Sequence, residues 1–227
     1  MVTQDMFTRA WALVLLAACW TSESKPVEQP TKPDVKPPAA DEREAIVRID
    51  AEPGGKRFQG VWLEFSPDRR WVIDYRARDL WKSFENREVI VTGQCYRPFG
   101  QAITSTHFRV DRIRFVKPER GRGPILELGP EHWLRGKFGH YNYAPGSKRA
   151  DSPDQAFIDD AGHTLVIAGA SETIPALGTP ARVLVREVIP DMSWMAQGDA
   201  DKIWLLDVRS PDSVDDTEHA PAIIPCP

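Results

Sequence analysis

From residue 45 to residue 208 the apolar residues recur almost everywhere on a two-residue period, and the runs are short. That period is the pleat of a β-strand with one face buried. Ala45-Ile46-Val47-Arg48-Ile49 is β-branched and stops at Pro53-Gly54-Gly55. In 58–65, Val61 and Leu63 alternate with Trp62 and Glu64, and a turn at Ser66-Pro67-Asp68 leads into 70–75. Glu88-Val89-Ile90-Val91-Thr92-Gly93 reads as the clearest strand. In 107–116, Phe108, Val110, Ile113 and Phe115 oppose Arg109, Asp111, Arg112 and Arg114. In this half only 79–86 carries a helical pattern, with Asp79 as the expected N-cap and Leu80, Trp81 and Phe84 apolar.

The second half repeats this order more weakly. Residues 133–143 read as one extended piece. Strands at 155–158 and 164–167 flank a turn at Asp160-Ala161-Gly162, and further strands fall at 181–185 and 202–208. Leu80, Phe84 and Val89-Ile90-Val91, then Ile113 and Phe115, match Ile174, Leu177 and Val183-Leu184-Val185, then Ile203 and Leu205. A short apolar connector enters a Val-rich strand, and another strand follows. This is an internal repeat. It resembles the second half of an OB-type barrel, in which a connector precedes strand four and a last strand closes the sheet. The fold expected is all-β: two small OB-like β-barrels in tandem, 43–120 and 124–209, parted at Gly121, Gly123 and Pro124. A single β-sandwich is the alternative.

Leu16-Ala17-Ala18-Cys19 closes an apolar run at 10–20 that is too short to span a bilayer, which takes about 20 residues. These residues resemble the lipobox of bacterial lipoproteins. The resemblance implies a signal peptide over 1–18, cleavage before Cys19 and lipidation of that cysteine. It also implies export and attachment to a bacterial membrane. Because Trp20, not Asp, follows the cysteine, the periplasmic side of the outer membrane is implied for a Gram-negative source. Met6-Phe7-Thr8-Arg9 makes a better basic start than Met1, since Asp5 offsets Arg9. Residues 19–42 then form a tether whose Pro26, Pro30, Pro33, Pro37 and Pro38 keep it extended, reaching about 60 Å.

The chain has a net charge of −4, unevenly spread. Residues 41–122 hold 17 Lys+Arg against 13 Asp+Glu, and 123–227 hold 8 against 16. Beyond Cys19, the cysteines are Cys95 and Cys226. In an oxidising compartment they can pair, stapling the acidic, Pro-rich tail 210–227 onto the first half. Otherwise both are free thiols, Cys95 is a small apolar strand residue, and the tail is disordered.

No nucleophile elbow and no phosphate-cradling loop is present. His107, His132, His140, His163 and His219 have no ligand spacing, and His132 and His140 would meet only across a hairpin. Asp159-Asp160 before Gly162 reads as a turn rather than a calcium loop. No cofactor, no metal and no catalytic residues are assigned. Aromatic and basic residues mix in the first half: Arg70, Trp71, Tyr75, Tyr96, Arg112 and Arg114. They form either a binding face, as OB barrels often present, or core aromatics with arginines on the surface. An exported chain meets glycans and envelope proteins rather than nucleic acid. The expectation is a non-catalytic, membrane-anchored envelope lipoprotein that binds a protein or a glycan. An exported hydrolase without a motif and a purely structural module are the alternatives.

Overall fold

A computed structural model describes residues 42–50, 60–98, 105–117, 123–147, 149–191, 200–213 and 222–227. The signal segment, Cys19 and the tether lie outside the described residues. The described residues fall in one compact unit.

The strands are β1 (Arg43–Asp50), β2 (Gly60–Ser66), β3 (Arg69–Asp74), β4 (Glu88–Arg97), β5 (His107–Phe115), β6 (Ile125–Tyr141), β7 (Asp154–Asp159), β8 (Thr164–Ala170), β9 (Pro180–Pro190), β10 (Lys202–Arg209) and β11 (Ala222–Ile223). A single helical turn, α1 (Asp79–Lys82), stands between β3 and β4. The described residues are therefore nearly all β.

The first five strands close on themselves in the order β1-β2-β3-β5-β4, with β4 paired to both β1 and β5. Closure removes free sheet edges. The seam between β3 and β5 is parallel and brief, at Val72 and His107, with Val72 N–H donating to the Thr106 carbonyl at 2.9 Å. Alternation decides which side chains fill the barrel: Val47, Val61, Leu63, Val89, Val91, Val110 and Ile113 are all at most 2% exposed. Leu80, Trp81 and Phe84 carry α1 into the same core. The cap differs from the expected one. Arg78 holds the N-cap position with extended backbone and no side-chain hydrogen bond, and Asp79 sits in the first turn, 2.7 Å from Lys82. Asp79 lies inside the first turn rather than at its cap, where its charge suits the helix N-terminus.

The remaining strands pair as β6-β7-β8-β10-β9, with a further pairing of β6 to β9. Here too one pair, β8 with β10, is parallel. Phe138, Phe157, Val183, Val185, Ile203 and Leu205 make their core. The long β6 links both sets. Leu128 and Glu127 pair with β5, and the rest of the strand runs along β9 and β7. Ile125, Leu128, Val188, Trp204 and Leu206 turn outward from that second core and pack into the first.

Cys95 and Cys226 are joined by a disulfide across 131 residues of sequence. The end of the tail is ordered with it, whereas the sequence alone left 210–227 without structure in the unbridged case. Ala222 and Ile223 pair with Arg97 and Tyr96, and Ile224 N–H donates to the Cys95 carbonyl at 3.0 Å. β1 leaves β4 at Val91, so β11 takes the stretch of β4 edge that β1 does not reach.

Candidate functional site

Where the barrel meets β6, β9 and β10, two adjoining hollows of about 310 and 450 Å3 share Ile73, Tyr96 and Glu131. This cleft draws its lining from several strands and from the turn after β3. Tyr75 follows β3, Tyr96 lies near the end of β4, and Arg109 stands near the start of β5, while His107, which opens β5, packs behind the two tyrosines. Glu131 sits midway along β6, Arg186 on β9 and Asp207 on β10.

Its aromatic corner is a stack around a buried histidine. The Tyr75 ring lies 5.4 Å from His107 at 28°, and the Tyr96 ring 5.5 Å from it at 51°. The Tyr75 phenol and His107 Nε2 share a hydrogen bond. Burial holds the imidazole below its ordinary range and pushes both phenols up. At neutral pH all three groups are therefore uncharged.

The rest of the cleft is charged and internally balanced. Arg186, with 2% of its side chain exposed, donates to Glu131 Oε1 at 3.1 Å from Nε. It also donates to the Gly129 carbonyl at 2.7 Å and the Val110 carbonyl at 2.8 Å. Its guanidinium stands 5.8 Å over the Trp81 ring. Burial pulls its pKa down, and Glu131 opposes that shift. Asp74 accepts from Trp81 Nε1 at 2.8 Å and from the Arg76 N–H at 2.9 Å, and lies 3.4 Å from Arg78. Glu172 lies 3.7 Å from Arg76, and Asp207 is 2.9 Å from Arg209. The arrangement offers ring faces, phenol hydroxyls and fixed ion pairs on one concave surface, the usual equipment for gripping a polar ligand.

Of the six residues grouped in sequence as a binding face, the structure brings only Tyr75 and Tyr96 together. Trp71 is in the core at 1% exposure, packed on Phe65 and Phe108, with Arg43 and Arg69 about its ring. Its neighbour Arg70 points the other way and meets Glu64 at 2.5 Å. Glu64 also accepts from Arg48 at 3.0 Å, and this pairing is what lowers its pKa most. Adjacent residues on a strand face opposite sides, so proximity in sequence misassigned Trp71. Arg112 bonds Glu127 and Arg114 lies 3.1 Å from Glu42, at the far end of β5 from His107.

His132 and His140 do not face each other across a hairpin; both lie on β6, eight positions apart and so separated by about 26 Å of strand. Asp159 holds a turn, accepting from His163 N–H at 2.8 Å. Among the described residues no group of three or more His, Cys, Asp or Glu is placed to hold a metal ion.

Sequence reasoning missed His107, Arg186, Glu131 and Asp74. One signal pointed to Arg186. It interrupts the apolar run of β9 at an otherwise buried stretch, where a charge needs a partner.

No protein-family model matches the chain, and no curated protein matches it either.

Proposed function

We propose that the protein is a non-catalytic, lipid-anchored envelope protein built from two OB-type barrels in tandem, which binds a glycan or a protein in the cleft between them. The observation that carries the reading is the cleft itself, where Tyr75 and Tyr96 stand beside paired arginines and carboxylates. The tandem reading is supported by pairing order: β6-β7-β8-β10-β9 with β6 to β9 repeats β1-β2-β3-β5-β4 with β1 to β4, parallel seam included. The non-catalytic reading is supported by the cleft's acids, since Asp74, Glu131, Glu172 and Asp207 each lie against a guanidinium. Anchoring is supported by Leu16-Ala17-Ala18-Cys19.

Two measurements test the proposal. Mass spectrometry of the protein from membranes of its native host is expected to give an N-terminal peptide beginning at acylated Cys19, absent in Cys19→Ala. An unmodified N-terminus would sink the anchor. Immobilised envelope glycans and envelope proteins are then probed with the full chain and with Tyr96→Ala. A ligand retained by the parent and lost in a Tyr96→Ala variant of unchanged melting temperature supports the cleft; binding indifferent to Tyr96 overturns it.

A further inference from the structure

β11 is two residues long and faces two environments at once. Successive side chains on an extended strand point to opposite sides. Ile224 and Cys226 pack against the core of the β1–β5 barrel. Ile223 turns the other way. It stands directly opposite Tyr96 and lines the smaller hollow with Ile73, Arg109 and Val110. The tail is therefore one wall of the cleft, anchored from behind in the barrel core.

The non-covalent hold on this wall is short. Ala222 and Ile223 pair with β4, and the Ile224 N–H donates to the Cys95 carbonyl at 3.0 Å. Pro225 follows and has no N–H, so it cannot extend that ladder as a donor. Arg69 donates to the Pro227 carbonyl. Strands usually run to roughly 3–10 residues, and a pairing shorter than that is weak by itself. The Cys95–Cys226 bridge supplies the rest, because it keeps β11 at high local concentration beside β4. Its two sulfurs are not equivalent. Cys95 is 1% exposed inside the core, whereas Cys226 is only partly buried.

We propose that β11 is a thiol-releasable wall of the cleft: reduction of the Cys95–Cys226 bridge frees the strand from β4, takes Ile223 away from Tyr96 and weakens ligand binding. The inference rests on the cleft as a ligand site and names its regulation. The reductant is an external dithiol. Its thiolate attacks Sγ of Cys226, the bond between the two Sγ atoms breaks, and Cys95 leaves with the electron pair and takes up a proton. The second thiol of the reductant then displaces Cys226 from the mixed disulfide. Two electrons and two protons pass to the protein, and the dithiol ends as its own disulfide. Cys226 takes the attack because the core closes in Cys95.

Fluorine NMR of the full chain carrying 3-fluorotyrosine decides it, with dithiothreitol as the dithiol and hydrogen exchange read at Ile224. The chain has four tyrosines. Tyr96 reports the wall, while Tyr141 and Tyr143, packed edge-on at the end of β6, report the fold. Reduction is expected to move the Tyr96 resonance, leave those of Tyr141 and Tyr143 in place, and speed exchange at Ile224 about 100-fold; reoxidation restores both. Ile223→Ala, with the bridge intact, is expected to move the Tyr96 resonance without faster exchange at Ile224. An unchanged Ile224 after reduction overturns the inference, since β11 then holds without the bridge. So does collapse of all four resonances together, which makes the bridge a staple of the whole fold, or a Tyr96 resonance that ignores Ile223→Ala. None of these readings needs a ligand, so the wall and the cleft can fail separately. The immobilised envelope glycans and proteins are then probed in both redox states. A ligand held by the oxidised chain and at least about tenfold weaker on the reduced one supports the regulation; equal retention with β11 released overturns it. Retention by neither state removes the cleft as a ligand site, and the regulation with it.

Discussion

Arg186 on β9 donates to the carbonyl of Val110 on β5 at 2.8 Å, joining residues 76 apart in sequence and tying the β1–β5 barrel to the strands that follow it. The same guanidinium holds Glu131 and the Gly129 carbonyl on β6. A charge buried this deeply is stable only while every donor is matched.

Arg186→Met keeps most of the volume and removes every one of those bonds. It strands the Val110 and Gly129 carbonyls, each at about 1–3 kcal/mol, so unfolding by urea is expected to show a loss of about 3 kcal/mol. A loss below about 1 kcal/mol would mean that packing of Val188, Trp204 and Leu206, not Arg186, holds the two sets of strands together.

The Cys95–Cys226 bridge closes a loop with a sequence separation of 131. Cys95→Ser with Cys226→Ser is expected to cost about 4–5 kcal/mol on the chain-entropy model. It should also free β11, which is held on β4 by the short pairing of Ala222 and Ile223 and by the Ile224 N–H on the Cys95 carbonyl. Limited proteolysis reads the second effect: cleavage beyond residue 221 in the double variant and not in the parent.

His107 gives the molecule an acid limit. Its pKa in the folded chain lies below its unfolded value because burial disfavours the imidazolium. Its contribution to stability is then complete above the unfolded pKa of about 6.5 and is lost as pH falls below it, because the unfolded chain takes up the proton first. Melting temperature is expected to drop between pH 7 and pH 5, and His107→Gln to flatten that drop. An unchanged slope in the variant would assign acid sensitivity elsewhere.

Gly93 interrupts β4 at the point where its register with β5 shifts. A Cβ there would stand 2.1 Å from the Arg109 carbonyl oxygen, a backbone atom that cannot turn aside. Gly93→Ala is expected to destabilise by about 2–3 kcal/mol and to disturb Arg109 in the cleft. Equal stability of parent and variant in thermal unfolding would refute this.

Much of the architecture was legible in the chain. The period-two runs located the strands, and the turn at 160–162 is where Gly162 put it. The matched blocks Val89-Ile90-Val91 and Val183-Leu184-Val185 fall on β4 and β9, and both strands occupy the same place in the pairing order. The site was much less legible. Tyr75 and Tyr96 were named, but beside Trp71, which the pleat sends into the core, and beside Arg112 and Arg114 at the other end of β5.

What the sequence by itself determined is local: strand positions, the buried face of each, the two cysteines free to pair, and the lipobox resemblance at Cys19. These follow from side-chain period, turn chemistry and short motifs, each readable within a few residues. Only the tertiary structure decided that His107 lies between two tyrosines, that Arg186 reaches Val110, and that Ile223 stands opposite Tyr96. Those depend on register between strands far apart in sequence, and a shift of one residue would send each side chain to the opposite face.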